Sequence, residues 1–162
     1  MLVLLGIIQF GFIFNSYVTL SNAVREAARE GSVYQYDRTC TKAQNDMLRN
    51  EVIRTQLLAS MNLLSTAPPW FATIAPTGSG CSLTGGWSSS VSGTATTYTN
   101  GDLTITYALP SGATDTDPRT GEQATVSAQY HQDLIIPLIA NLLPRGADNR
   151  LGLTGQITVV LN

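Results

Sequence analysis

Residues 2 to 14 carry ten Leu, Ile, Val or Phe side chains, interrupted only by Gly6, Gln9 and Gly11. A run this dense predicts a helix that is apolar on every side. At roughly 0.3 to 0.6 kcal/mol each, ten such residues favour a bilayer by about 3 to 6 kcal/mol. The run is shorter than the ~20 residues of a full span. The pattern then changes without a break. Tyr17, Leu20, Val24, Ala27 or Ala28, and Gly31 recur at three- and four-residue steps, while Ser21, Asn22, Arg25, Glu26 and Arg29 fall opposite. That spacing predicts an amphipathic helix continuing out of the all-apolar one. No proline lies before Glu30, and Gly31 is a natural stop. The expected rod is one helix from Met1 to Gly31, about 45 Å long, with its first half projecting from the rest.

Ser32 to Cys40 reads as a loop. Thr41 followed by Gln44 has the form of a capping box. The second helix is expected from 41 to about Ser65, with Met47, Ile53, Leu57, Leu58, Met61 and Leu64 inward and Pro68-Pro69 ending it. Trp70 to Thr97 is rich in Gly, Ser and Thr and reads as loop; Trp70 and Trp87 there are either buried anchors or exposed binding aromatics. Strands are expected from about Thr94. Asn100-Gly101 signals a hairpin. Period-two alternation follows at Leu103, Ile105, Tyr107 and Leu109, then at Val126, Ala128 and Tyr130, then at Ile157, Val159 and Leu161. About four antiparallel strands result. Leu134 to Pro144 is apolar around Pro137 and reads as a short helix or a lid.

The 162 residues carry a net charge of -2 and are only 12% charged. Without clustered Lys and Arg there is no electrostatic footprint for nucleic acid, so no nucleic-acid partner is expected. Ser and Thr make up about a fifth of the chain and replace charge on its surface. No zinc spacing, nucleophile elbow, phosphate loop or dinucleotide fingerprint occurs. The expectation is therefore no enzyme, no catalytic residues, no metal and no cofactor. Asp115, Asp117 and Glu122 could offer oxygens to a calcium ion, but they lack EF-hand spacing, and Asp-Pro and Thr-Gly are ordinary turn chemistry. Cys40 and Cys81 bracket the second helix in loop settings. Outside the cytoplasm they are expected to pair with each other, the alternative being two buried thiols.

The apolar helix admits two uses. It either anchors a globular domain in a membrane, or it polymerises, resting in the bilayer first and in a filament core afterwards. It lacks the basic flank and small-residue cleavage site of a secretion signal. It is therefore either itself the targeting signal or preceded by residues beyond this sequence.

The stretches Leu5-Gly-Ile-Ile-Gln-Phe-Gly11 and Leu20-Ser-Asn-Ala-Val-Arg-Glu-Ala-Ala-Arg-Glu-Gly31 resemble the TadE-like pilins, the tight-adherence branch of the type IV pilus superfamily. The family's N-A-A-R-E-G-A-R run is matched at Asn22, Ala23, Arg25, Glu26, Ala27 and Arg29. The closing part, from the Ala124–Tyr130 strand through Pro137-Leu138 to the final strand, is similar more loosely. Gln9 stands where the family usually has Glu, and Phe12 where it has a basic residue. Leu5 holds the place of the glutamate at the fifth mature position of prepilins.

The resemblance implies an α+β, pilin-like fold, with helix 1–31 packed on a head of residues 32–162 that holds a second helix and a small antiparallel sheet. It implies a membrane-inserted precursor that assembly machinery extracts into an extracellular filament, with other copies of the chain as partners. The expected polymerisation or membrane set is Leu2, Leu4, Leu5, Ile7, Ile8, Phe10, Phe12, Ile13 and Phe14. The expected set docking helix on head is Tyr17, Leu20, Val24, Ala27 and Ala28. A minor pilin or anchored assembly component, and a tethered surface-binding module, are the alternatives.

Overall fold

A computed structural model describes residues 2–61, 64, 74–112, 119–134 and 150–161. Helix α1 runs unbroken over Leu2–Ser32 and α2 over Lys42–Ser60. After a short 3-10 turn at Gly80–Ser82 come β1 (Ser88–Ser92), β2 (Ala95–Asn100), β3 (Leu103–Ala108), β4 (Gln123–Gln132) and β5 (Leu151–Val160). All five strands form one antiparallel sheet in chain order. The two helices pack side by side, and α1 lies across β4 and β5. The result is the expected α+β arrangement of a long apolar helix, a second helix and a sheet.

Local chemistry explains the second helix. Gln44 N–H donates to Thr41 Oγ1 at 3.4 Å, and Thr41 N–H donates to Gln44 Oε1 at 2.7 Å, so both halves of the capping box form. The helix stops earlier than its apolar stripe suggests. Met61 is already a turn, its N–H bonded to Leu57 O. Pro68-Pro69 and Trp70 lie outside the described residues.

Among the described residues five strands form, against the about four expected. Strand β1 falls in the segment expected to be loop, because Ser-Ser-Ser-Val-Ser has no apolar alternation to betray it. Every one of its residues is exposed, and it forms by backbone pairing with β2 across the Gly93-Thr94 turn. Gly93 takes φ +60° there, a conformation open to glycine at little cost. The Asn100-Gly101 hairpin forms one residue later than its signal implies. Asn100 pairs with Leu103, so Gly101-Asp102 is the turn, and buried Asn100 donates from Nδ2 to Ile74 O at 2.9 Å.

One sheet face turns Tyr98, Leu103, Ile105, Tyr107, Ala124, Val126 and Ala128 onto Leu20, Val24, Ile53 and Leu57 of the helices. The other collects the hydroxyls. Ser90, Thr97, Thr106, Thr125 and Thr158 stand in one row across the strands. Within it Thr97 and Thr106 are hydrogen-bonded at 3.1 Å, and Thr125 and Thr158 at 2.8 Å. Trp87 is partly buried against the core rather than displayed. The apolar segment after Leu134, read as a lid or short helix, lies outside the described residues.

Candidate assembly helix and its polar anchor

Two glycines let α1 sit close to its own head. A Cβ on Gly155 of β5 would stand 3.1 Å from Leu20 Cγ and 3.2 Å from Val24 Cγ2. At Gly31 it would stand 2.5 Å from Ile53 Cγ1, so α1 and α2 cross in near contact. Gly31 is not in a left-handed conformation, and its role is this close approach rather than the helix stop its position suggests. Leu20, Ala23, Val24, Ala27 and Ala28 are all buried along the same line.

Tyr17 is a correction to the expected docking set. It is 48% exposed rather than buried in the docking line. Its neighbour Ser16 takes the inward position, 5% exposed, and donates to Gln132 Oε1 of β4 at 2.5 Å. The docking line also runs further back than expected, through half-buried Ile13 to Gln9, which is 1% exposed. These positions continue the 3.6-residue period of the stripe from Leu20. An apolar-only search overlooks them because Gln9 and Ser16 are polar. The first half of α1 is thus open on most of its circumference rather than on all of it.

The rest of that circumference is apolar and open. Val3, Leu4, Leu5, Ile7, Ile8, Phe10, Phe12 and Phe14 are all exposed, from 39% at Leu5 to 77% at Val3. Of the expected polymerisation set, Ile13 is half-buried on the docking line, and the Leu2 side chain lies outside the described residues. By length and composition, Val3–Ser32 qualifies as a helix able to cross a membrane.

On the other side of the head, α2 buries polar groups that no motif announced. Asn45, Asp46, Arg49, Asn50 and Arg54 share its inner face with Ile53 and Leu57. Arg119 donates from Nε and Nη2 to the two oxygens of Asp46, both at 2.8 Å, and from Nη1 to Glu122 Oε2 at 2.5 Å. Lys42 Nζ stands 3.6 Å from the other Glu122 oxygen. Tyr98 Oη donates to Asp46 Oδ2 at 2.9 Å, and Tyr107 Oη to Asn50 Oδ1 at 2.6 Å. The Arg119 guanidinium also lies 4.7 Å from the Tyr107 ring centre. Burial opposes the charge on Arg119, but the hydrogen bonds and charges of Asp46 and Glu122 outweigh it and hold its pKa above the ordinary value. Burial first, then the Asp46 charge, pushes the Tyr98 hydroxyl upward. Burial does the same to Tyr107, against the nearby arginines. The only sequence signal for this cluster is the recurrence of Asn-Asp and Arg-Asn at four-residue spacing.

That network also reassigns Glu122. Its carboxylate is taken by Arg119 and Lys42, so it does not serve as a free oxygen donor beside Asp115 and Asp117, which lie outside the described residues. Cys40 and Cys81 are joined in a disulfide. Asp37 sits near the two sulfurs, yet a disulfide offers no thiolate to a metal. Asn45 braces the same corner. Its Nδ2 donates to Asp37 O, Cys40 O and Thr41 O, and its Oδ1 accepts from Asp37 N–H.

Residues 1–29 match the family described as TadE-like protein. The chain is TadE-like over its first helix. The matched block ends inside the last turn of α1, so the TadE-like signature covers the open apolar half and the docked half together. No curated protein and no solved structure matches the chain.

Proposed function

We propose that the chain is a structural pilin that polymerises through α1 into an extracellular filament used for attachment. The observation that carries this reading is the open half of α1. Ten large apolar side chains between Val3 and Val18 are more than a third exposed in the folded chain. Fully burying one such side chain gains roughly 1.5 to 3 kcal/mol, so leaving ten of them about half exposed forfeits on the order of 10 kcal/mol, as much as a whole domain's stability. Another molecule must cover them. A bilayer and a bundle of like helices both serve.

The docking line favours the bundle as the final state. The head reaches α1 at Ser16 through Gln132, and Gln9 is already buried. The stretch of α1 long and apolar enough to cross a membrane, Val3–Ser32, runs through both positions. Lipid on every side of a full span would have to displace the head from Gln9 and Ser16. Neighbouring helices can instead cover the open faces while the head stays docked. We therefore read the membrane as the site of the precursor and the filament as its destination. Membrane-bound assembly machinery and further copies of the chain are the partners, and the role is structural rather than catalytic.

Negative-stain microscopy of filaments sheared from the source cells, with mass spectrometry of their subunit bands, tests this reading. The chain is expected as the bulk protein of the filament. Recovery of the chain in the membrane fraction alone, with none in filaments, contradicts it. Trace amounts among filaments of another subunit would assign it as a minor pilin.

A further inference from the structure

Beyond its apolar half, α1 carries four exposed charges in two ridges. Arg25 and Arg29 lie one turn apart, as do Glu26 and Glu30. At about 100° per residue the basic ridge and the acidic ridge run side by side along the outward face. Like charges at i,i+4 weaken an isolated helix, and the one opposite-charge pair in reach along α1, Glu26 and Arg29 at i,i+3, is left unbonded. Among the described residues none of the four has an ion pair or a side-chain hydrogen bond, whereas Arg54 is paired with Glu51, and Arg119 with Asp46 and Glu122.

A cleft opens beside the acidic ridge. Glu30 of α1 and Glu51, Val52, Thr55 and Gln56 of α2 line a volume of about 270 Å³. Arg54 already occupies both oxygens of Glu51, at 2.8 and 2.6 Å. Glu30 is the carboxylate left for an incoming cation, and Val52 offers an apolar wall to the stem of a long side chain.

We propose that the Arg25–Arg29 ridge of one copy packs on the Glu26–Glu30 ridge of the next, with an arginine entering the cleft at Glu30. The inference rests on the filament reading above and supplies what sets the stagger between its subunits. A second copy is the occupant because it carries equal and opposite charge on the same stretch of helix. That stretch also continues directly from the exposed apolar faces. Since donor and acceptor ridges are different surfaces, the contact is heterologous, leaves one ridge free at each end, and propagates into an open array.

Charge reversal in the full chain, in source cells lacking their own copy, tests the contact by the yield of sheared filaments. The pair Arg25→Glu with Arg29→Glu should lower yield roughly tenfold or more, because like charges then face each other. Glu26→Arg with Glu30→Arg should do the same. All four reversals in one chain should restore filaments, since the ridges again complement each other. Wild-type yield from either double variant overturns the contact and leaves the filament reading standing. Loss in the doubles without recovery in the fourfold variant also overturns it. Absence of filaments from the wild-type chain overturns the filament reading itself.

Discussion

Two regions of this molecule depart from the rule of apolar inside and polar outside, and they do so in opposite directions. The first half of α1 is apolar and open to its surroundings. The inner face of α2 is polar and closed, with Asp46, Arg49, Asn50 and Arg119 nearly inaccessible. In the closed region the charge of Asp46 is met within the chain: each of its carboxylate oxygens meets Arg119, and Tyr98 adds a third donor, while Arg49 Nε and Asn50 Nδ2 are left without a hydrogen-bond partner among the described residues. The open region has no such completion in one copy. A polar cluster whose main charges are paired within one chain fixes how a head folds. An apolar surface that its own chain leaves open marks a place for another molecule, protein or lipid. Mutations in the two regions should therefore separate folding from assembly.

The largest effect on folding is expected at Arg119. Arg119→Met leaves Asp46 and Glu122 buried without their main counter-charge, a change that costs about 3–5 kcal/mol. Denaturant unfolding of the full chain in detergent should show the loss as a shifted midpoint. An unchanged midpoint would mean that the network only fills space.

Opening the disulfide ranks next. Cys40 and Cys81 are 41 residues apart, and in the chain-entropy account closing such a loop stabilises by roughly 4 kcal/mol. Cys40→Ser with Cys81→Ser should lower the same midpoint by a comparable amount. Alkylation of the unreduced wild-type chain should add no label.

A smaller effect is expected from alkaline pH. Tyr98 and Tyr107 both have pKa values raised above the ordinary 10.0 by burial. A raised folded pKa means that the stability is fully present below the unfolded value and drains away as pH rises past it. Each tyrosine should remove about 1.4 kcal/mol per pH unit above 10. Unfolding measured at pH 9 and pH 11 should show the decline, and Tyr107→Phe should flatten it.

The legibility of these regions in the sequence follows the same contrast. The open helix shows as a block of Leu, Ile, Val and Phe because ten such residues stand almost side by side in the chain. The capping box at Thr41 and the alternation of β3, β4 and β5 are equally plain, since each is a local rule written in adjacent residues. Strand β1 is silent because its five exposed residues contribute backbone pairing and no apolar face. Tyr17 misled as an apolar residue near the right phase, while the true inward positions, Gln9 and Ser16, are polar. The Asp46–Arg119–Glu122 network was hidden for a different reason. Asp46 and Arg119 lie 73 residues apart in the chain, and only the fold brings a helix-face aspartate to an arginine beyond β3. Glu122, read as an acid beside Asp115 and Asp117, belongs to that network instead.

The most direct test of assembly through the open half of α1 is a charge placed on it. Ile8→Asp adds a carboxylate to an exposed position, outside the head's core and away from the docking line. Filament yield in sheared fractions and the unfolding midpoint of the full chain in detergent should be read together. Loss of filaments with an unchanged midpoint is the predicted result. Normal filaments from Ile8→Asp would contradict it, because a dry helical core could not hold an unpaired carboxylate.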